Sequence, residues 1–176
     1  MPKAPEFVAV PGPKLLEAIG TVTVKWSALE FLLDNMLFWA SDPADTKTAD
    51  LMSGGSTRAR WGTLKDILRR EHGARPGTAG MISLVDDALS IKGERDQIVH
   101  GIYADHRANP SPETAVAITL KRHKVRTEWP VTRPRILAAA AKIDALVARI
   151  TNHQLAHGER LGNSILPNAW RHKDRK

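Results

Sequence analysis

The sequence contains no cysteine. Neither a disulfide framework nor a thiolate metal site can form, and nothing calls for an oxidising compartment, so a cytoplasmic home is the expectation. Aromatic residues are also scarce, at 5% of 176 residues, with one tyrosine, three phenylalanines and five tryptophans. Long apolar runs are missing. The longest, residues 29–40, is interrupted by Glu30, Asp34 and Asn35 and is too short to cross a bilayer, so no membrane partner is expected. The proline-rich opening MPKAPEFVAVPGPK has no continuous apolar block of the signal-peptide kind, and export is not expected. No dinucleotide fingerprint, nucleophile elbow or phosphate loop ending in Gly-Lys-Ser/Thr is present, and no cofactor is expected.

What is present suffices for an ordinary core, because 42% of residues are hydrophobic in a chain of one-domain size. Its charge is unevenly spread. Residues 1–110 carry 13 basic and 14 acidic side chains, whereas residues 111–176 carry 13 and 5, so the whole net charge of +7 resides in the C-terminal third. Such asymmetry suits a polyanionic partner such as RNA, although solvated Lys and Arg on a basic surface give the same count.

Hydrophobic spacing organises the chain into helices. After a leader of residues 1–13, Leu15, Ile19, Val22, Trp26, Leu29, Leu33 and Met36 recur at intervals of four and three. This predicts a long amphipathic helix, with Pro13 in its first turn and a stop at Ser41-Asp42-Pro43. The stripe would serve a bundle seam or a coiled-coil-like dimer contact. A short helix, a break at Ser53-Gly54-Gly55-Ser56-Thr57 and a second long helix from Thr57 to His72 follow, the latter with Trp61, Leu64, Ile67 and Leu68 on one face. Beyond the loop at residues 73–77, a third long helix is predicted from Thr78 to His100, with Ile82, Val85, Leu89 and Ile91 inward and Gly101 as a candidate cap. Alternation at Val116, Ile118 and Leu120, and again at Val125, Thr127 and Trp129, predicts a β-hairpin, with a short third strand within residues 101–106. A last helix opens near Thr132 with Pro134 in its first turn and runs to about Ala156, its stripe being Ile136, Ala140, Ile143, Val147 and Ile150. The expected fold is therefore mainly α: an antiparallel bundle of four to five helices over residues 14–156, a small hairpin over about 101–130, and a basic tail at 157–176.

The segment Glu94-Arg95-Asp96-Gln97-Ile98-Val99-His100-Gly101 carries the chemistry. Arginine and histidine are separated by four residues, with a polar residue directly after the arginine, at a helix end. This resembles the HEPN families (higher eukaryotes and prokaryotes nucleotide-binding domains), helical bundles with an R-x(4 to 6)-H signature. The close match covers eight residues, and the order of elements extends a looser likeness over residues 14–155. The resemblance implies a homodimer whose paired motifs line one composite site. It also implies metal-independent cleavage of RNA to 2′,3′-cyclic phosphate and 5′-hydroxyl ends, and a place in toxin–antitoxin or phage-defence systems, with an antitoxin or other protein partner.

In that reading His100 moves a proton at the ribose 2′-OH or the leaving 5′-oxygen, Arg95 stabilises charge on phosphorus, and Asp96 orients either group or binds the sister chain. Lys121, Arg122, Lys124 and Arg126 would track the RNA backbone. Positions five apart diverge by about 140° around a helix, so the pair needs a helix end or a second chain to meet. The alternative is architectural. Arg95 would then reach an internal carboxylate such as Asp66 or Asp87, His100 would sit on the helix C-terminal dipole, and the bundle would dimerise or scaffold without catalysis. Weaker candidates are His153 and His157, spaced for a metal but without a third ligand; the Ser53–Thr57 segment as a phosphate cradle; Glu30, beside the stripe and facing the Arg95 region; and Trp129 and Trp170 as base-stacking residues.

Overall fold

In the computed structural model, residues 11–41, 46–73, 75–104, 114–120 and 126–165 are described. Helix α1 (Pro13–Ala40) opens with proline where no N–H is needed, and the Gly12 carbonyl accepts the Leu15 and Leu16 amides at 2.9 and 3.0 Å. Helices α2 (Thr46–Gly54) and α3 (Thr57–His72) are joined at Gly55 and Ser56. Ser56 is extended and its hydroxyl accepts the Ala59 amide at 3.2 Å, satisfying one of the orphan donors of α3. The serine- and glycine-rich segment is thus a helix–helix connection preceded by a helix rather than by the strand a phosphate loop needs. Gly77, with φ of 92°, turns the chain into α4 (Thr78–His100) in the left-handed region that glycine tolerates.

Strands β1 (Ile102–Ala104), β2 (Thr114–Leu120) and β3 (Arg126–Thr132) form one antiparallel sheet in that order. The expected hairpin is present, and its third strand pairs Tyr103 with Ala117. Helix α5 (Arg133–Ile165) follows at once and continues past the expected end near Ala156. Among the described residues, the helical bias, five helices and small sheet agree with the sequence reading.

The chain divides into two compact units. The first comprises Met1–Ser27 and Ile91–Asp144, the second Ala28–Ser90 and Ala145–Lys176. In the first, Leu15, Val22 and Trp26 of α1 are buried together with Ile98, Tyr103, Ala117, Val131, Ile136 and Ile143. In the second, Leu29, Leu33, Trp61, Leu64, Leu68, Met81, Val85 and Ile150 are buried. The seam of α1 is consumed inside the units and is not a free dimer contact; Ile19 is only half-buried, and Ala18 takes the inward place. The stripe of α4 is rotated from expectation, while that of α5 differs at one position. In α4 the buried apolar residues are Met81, Leu84, Val85, Ala88 and Ile98, with Ile82, Leu89 and Ile91 half-buried; in α5 Ile136, Ala140, Ile143 and Ile150 are buried as expected, and Leu146 is buried rather than Val147. In β2 Ala115, Ala117 and the expected Ile118 are buried, while Val116 is half-buried.

Candidate functional site

The candidate site is the last three turns of α4, within the first unit. Arg95 falls on the inward stripe, one turn before Ile98, so its long stem runs along apolar surface and its side chain is only 16% exposed. The guanidinium carbon lies 5.4 Å from the centroid of buried Trp26, a cation–π separation. Nη1 donates to Asp96 Oδ1 at 3.0 Å and lies 3.1 Å from His100 Nε2. Nε is buried and makes no hydrogen bond among the described residues. His100, the final residue of α4, is exposed.

The divergence expected of positions five apart is overcome within one chain. Their separation along the axis is about 7.5 Å, which an extended arginine side chain spans, and Asp96 and Trp26 hold it on that course. Because arginine only donates, Nε2 must be the acceptor, which places the proton of the neutral imidazole on Nδ1. Nε2 is the nitrogen with a lone pair available for proton transfer.

Asp96 is gripped from both sides, by Arg95 and by Lys92 one turn earlier. Burial is the largest single influence on its carboxyl and raises the pKa. The hydrogen bonds and charges of Lys92 and Arg95 together outweigh burial and hold it below the ordinary 3.8. Two cations and one carboxylate leave the cluster net positive, which suits a phosphodiester.

The end of α4 is anchored to the sheet. Tyr103 donates its hydroxyl to the Ile98 carbonyl, one of the last four that the helix cannot pair internally. Burial pushes this phenol up to about 12. Gly101 has no positive φ among the described glycines and does not cap the helix in the left-handed way. It is small for another reason: a Cβ there would stand 2.6 Å from the Gln97 carbonyl and 3.0 Å from the Ala117 Cβ.

The architectural partners proposed for Arg95 are taken elsewhere. Asp66 pairs with Arg69 at 3.0 Å and Asp87 with Arg149 at 2.9 Å. Glu30 accepts from Thr57 at 2.7 Å and lies 3.5 Å from Arg60, rather than serving Arg95. Arg60 also contacts Asp34 through Nε and Nη2, both at 3.0 Å, a two-point grip that ties α3 to α1. His153 donates to the Gly77 carbonyl at 2.7 Å and packs its ring 4.5 Å from that of His157, which explains the pair through the α4 entry turn. No group of three or more metal-ligating residues occurs among the described residues. Lys121, Arg122, Lys124 and Trp170 lie outside the described residues, and Arg126 is the first residue of β3.

No protein-family model, curated protein or solved structure matches the chain. Function is therefore read from the site. Three of its members stand outside the arginine–histidine motif. Lys92 was legible in principle, since it stands four before Asp96. The spacing of Trp26 marks it as core, and its second role as a bed for Arg95 depends on tertiary packing. Tyr103, the single tyrosine, sat in an unremarkable short strand.

Proposed function

We propose that the protein is a metal-independent endoribonuclease of HEPN type, and that Arg95 and His100 carry the reaction. The observation that supports this is the 3.1 Å approach of a cation to the Nε2 of an exposed imidazole. An incoming phosphate oxygen replaces Nε2 as the acceptor for Arg95, which frees the imidazole lone pair. Nε2 then takes the proton of the ribose 2′-OH as that oxygen attacks phosphorus. The P–O5′ bond breaks, leaving a 2′,3′-cyclic phosphate, and the 5′-oxygen collects a proton from an acid, water or a protonated imidazole. Arg95 offsets the extra charge on the phosphorane, and Asp96 keeps its guanidinium aimed. A second copy bringing another Arg95–His100 pair would supply that acid, as the resemblance implies.

The test is incubation of RNA in EDTA with the wild type and with His100→Ala. Chelator-resistant cleavage is expected in the first and absent in the second, and a strand with 2′-deoxyribose at every position should survive both. Equal cleavage by the two proteins would reject the proposal.

A second reading, a non-catalytic interaction protein, draws support from the low exposure of Arg95 and its bed on Trp26, which also suit an architectural arginine. Under that reading, wild type and His100→Ala alike leave RNA intact.

A further inference from the structure

The first unit holds a second cation–aromatic pair that the Arg95–His100 reaction leaves unused. Arg135, in the first turn of α5, has its guanidinium carbon 3.9 Å from the centroid of the Trp129 ring on β3. Unlike the inward-facing Arg95–Trp26 pair, this one meets solvent: Arg135 is exposed and Trp129 only half-buried. The guanidinium is weakly committed within the protein. Its Nη1 reaches the Pro130 carbonyl at 3.5 Å, the outer limit of a hydrogen bond, and no carboxylate among the described side chains pairs with it.

The pair lies close to the candidate site. Tyr103, Ala117 and Trp129 form one row across the sheet, and directly opposed residues of antiparallel strands put their side chains on the same face. That face is turned to the end of α4, because the Tyr103 hydroxyl reaches the Ile98 carbonyl and Ala117 abuts Gly101. Trp129 therefore stands one strand spacing, about 5 Å, beyond the residue that touches the chain next to His100.

We propose that Arg135, held over Trp129, is a shelf on which an unpaired base of single-stranded RNA stacks beside the phosphate engaged by Arg95 and His100. This rests on the reading of that pair as an RNA-cleaving site. A guanidinium plane backed by an indole offers its outer face to any base, while its edge N–H groups remain free for phosphate or base acceptors. A base inside a duplex is already stacked on both faces and cannot use the shelf, so the device selects unpaired RNA without choosing a sequence. Trp129 is a positioning residue here, and Arg135 makes the contact.

The experiment measures fluorescence anisotropy of a labelled single-stranded RNA, and of the same strand annealed to its complement, on His100→Ala protein so that nothing is cleaved. Arg135→Ala is expected to weaken single-strand binding roughly tenfold, the scale of one lost stacking contact, and to leave duplex binding unchanged. Trp129→Leu should do the same, with Trp129→Phe keeping most of the affinity. Arg135 is exposed, so its replacement does not put folding at stake. Unchanged single-strand binding by Arg135→Ala overturns the shelf while leaving the Arg95–His100 reading intact. Equal losses on single strand and duplex also overturn it, because they describe a bare phosphate contact. If the parent binds the single strand and the shelf variants do not, but His100-dependent cleavage is absent, only the cleavage reading falls. A parent that binds no RNA removes both.

Discussion

Asp96 and Tyr103 act on the same short stretch of α4 through opposite responses to pH. The Asp96 carboxyl sits below its usual 3.8 in the folded chain, so its ionised form favours the fold. That contribution is fully present above the ordinary aspartate range and is lost as the pH falls through 3.8 and below. Urea unfolding should find Asp96→Asn less stable than wild type at about pH 6, with the difference shrinking as the pH falls below 3.8. A difference that persists at low pH would show that charge is not what holds Arg95. Tyr103 runs the other way. Burial raises its phenol to about 12, so between the ordinary 10 and about 12 the unfolded chain has given up a proton that the folded chain keeps, and stability declines with rising pH. Tyr103→Phe should lose about 1 kcal/mol near neutrality with the hydrogen bond to Ile98. In chemical denaturation across that alkaline window, the variant should lack the decline seen in the wild type.

Elements succeed or fail here at their joints. Two glycines near the end of α4 make opposite predictions. A Cβ at Gly93 meets nothing within 4 Å, so Gly93→Ala should raise the stability of an otherwise regular helix by up to about 1 kcal/mol. Gly101→Ala instead drives a methyl group against the Gln97 carbonyl and Ala117, forcing β2 away from the helix end at a cost of about 1–3 kcal/mol and turning His100 from Arg95. Thermal unfolding of both variants, with cleavage assayed beside it, separates the two cases. These joints also explain what the sequence disclosed. Ser56, Gly77 and the proline–glycine loops carry local chemistry, and the bounds of α3 and α4 could be read from them. The inward face of α4 could not, because Ile82, Leu84, Val85, Ala88, Leu89 and Ile91 surround the helix and periodicity alone does not choose a side. Helix α5 passes the end expected near Ala156 and runs through Gly158 and Gly162 to Ile165, glycine being disfavoured but tolerated inside a helix. Of the two ways for Arg95 and His100 to meet, a helix end or a second chain, backbone rotation does not choose; the reach of the arginine side chain closes the gap within one chain.

At the scale of the whole molecule, the question is what lies against the outer side of α1. Its inward seam is used up in the core, yet Val24, Phe31 and Phe38 stand exposed at seven-residue intervals, with Phe31 at 71% and Trp39, edge-on to Phe38, at 42%. The three aromatics alone leave roughly 350 Å² uncovered, taking about 200–250 Å² for a whole aromatic side chain. Against the about 800 Å² per partner of an ordinary stable interface, these side chains supply nearly half before Val24 and Leu16 are counted. Between them, Gly20, Ser27 and Ala28 are small, and a Cβ at Gly20 would meet nothing within 4 Å inside the chain, so nothing internal calls for glycine there. Large and small residues alternating along one face suit a second α1 packed against the first, as in helix pairs where side chains fill the gaps opposite. Light scattering of the full chain should therefore report a dimer. Phe31→Glu combined with Phe38→Glu should shift it to monomer with little loss of unfolding stability, because both side chains are solvent-exposed before the change. If two copies of the Arg95–His100 pair serve one phosphodiester, cleavage should fall in step with the dimer and recover at higher protein concentration. Cleavage that stays constant per chain as the dimer disappears would show that each copy completes the reaction alone.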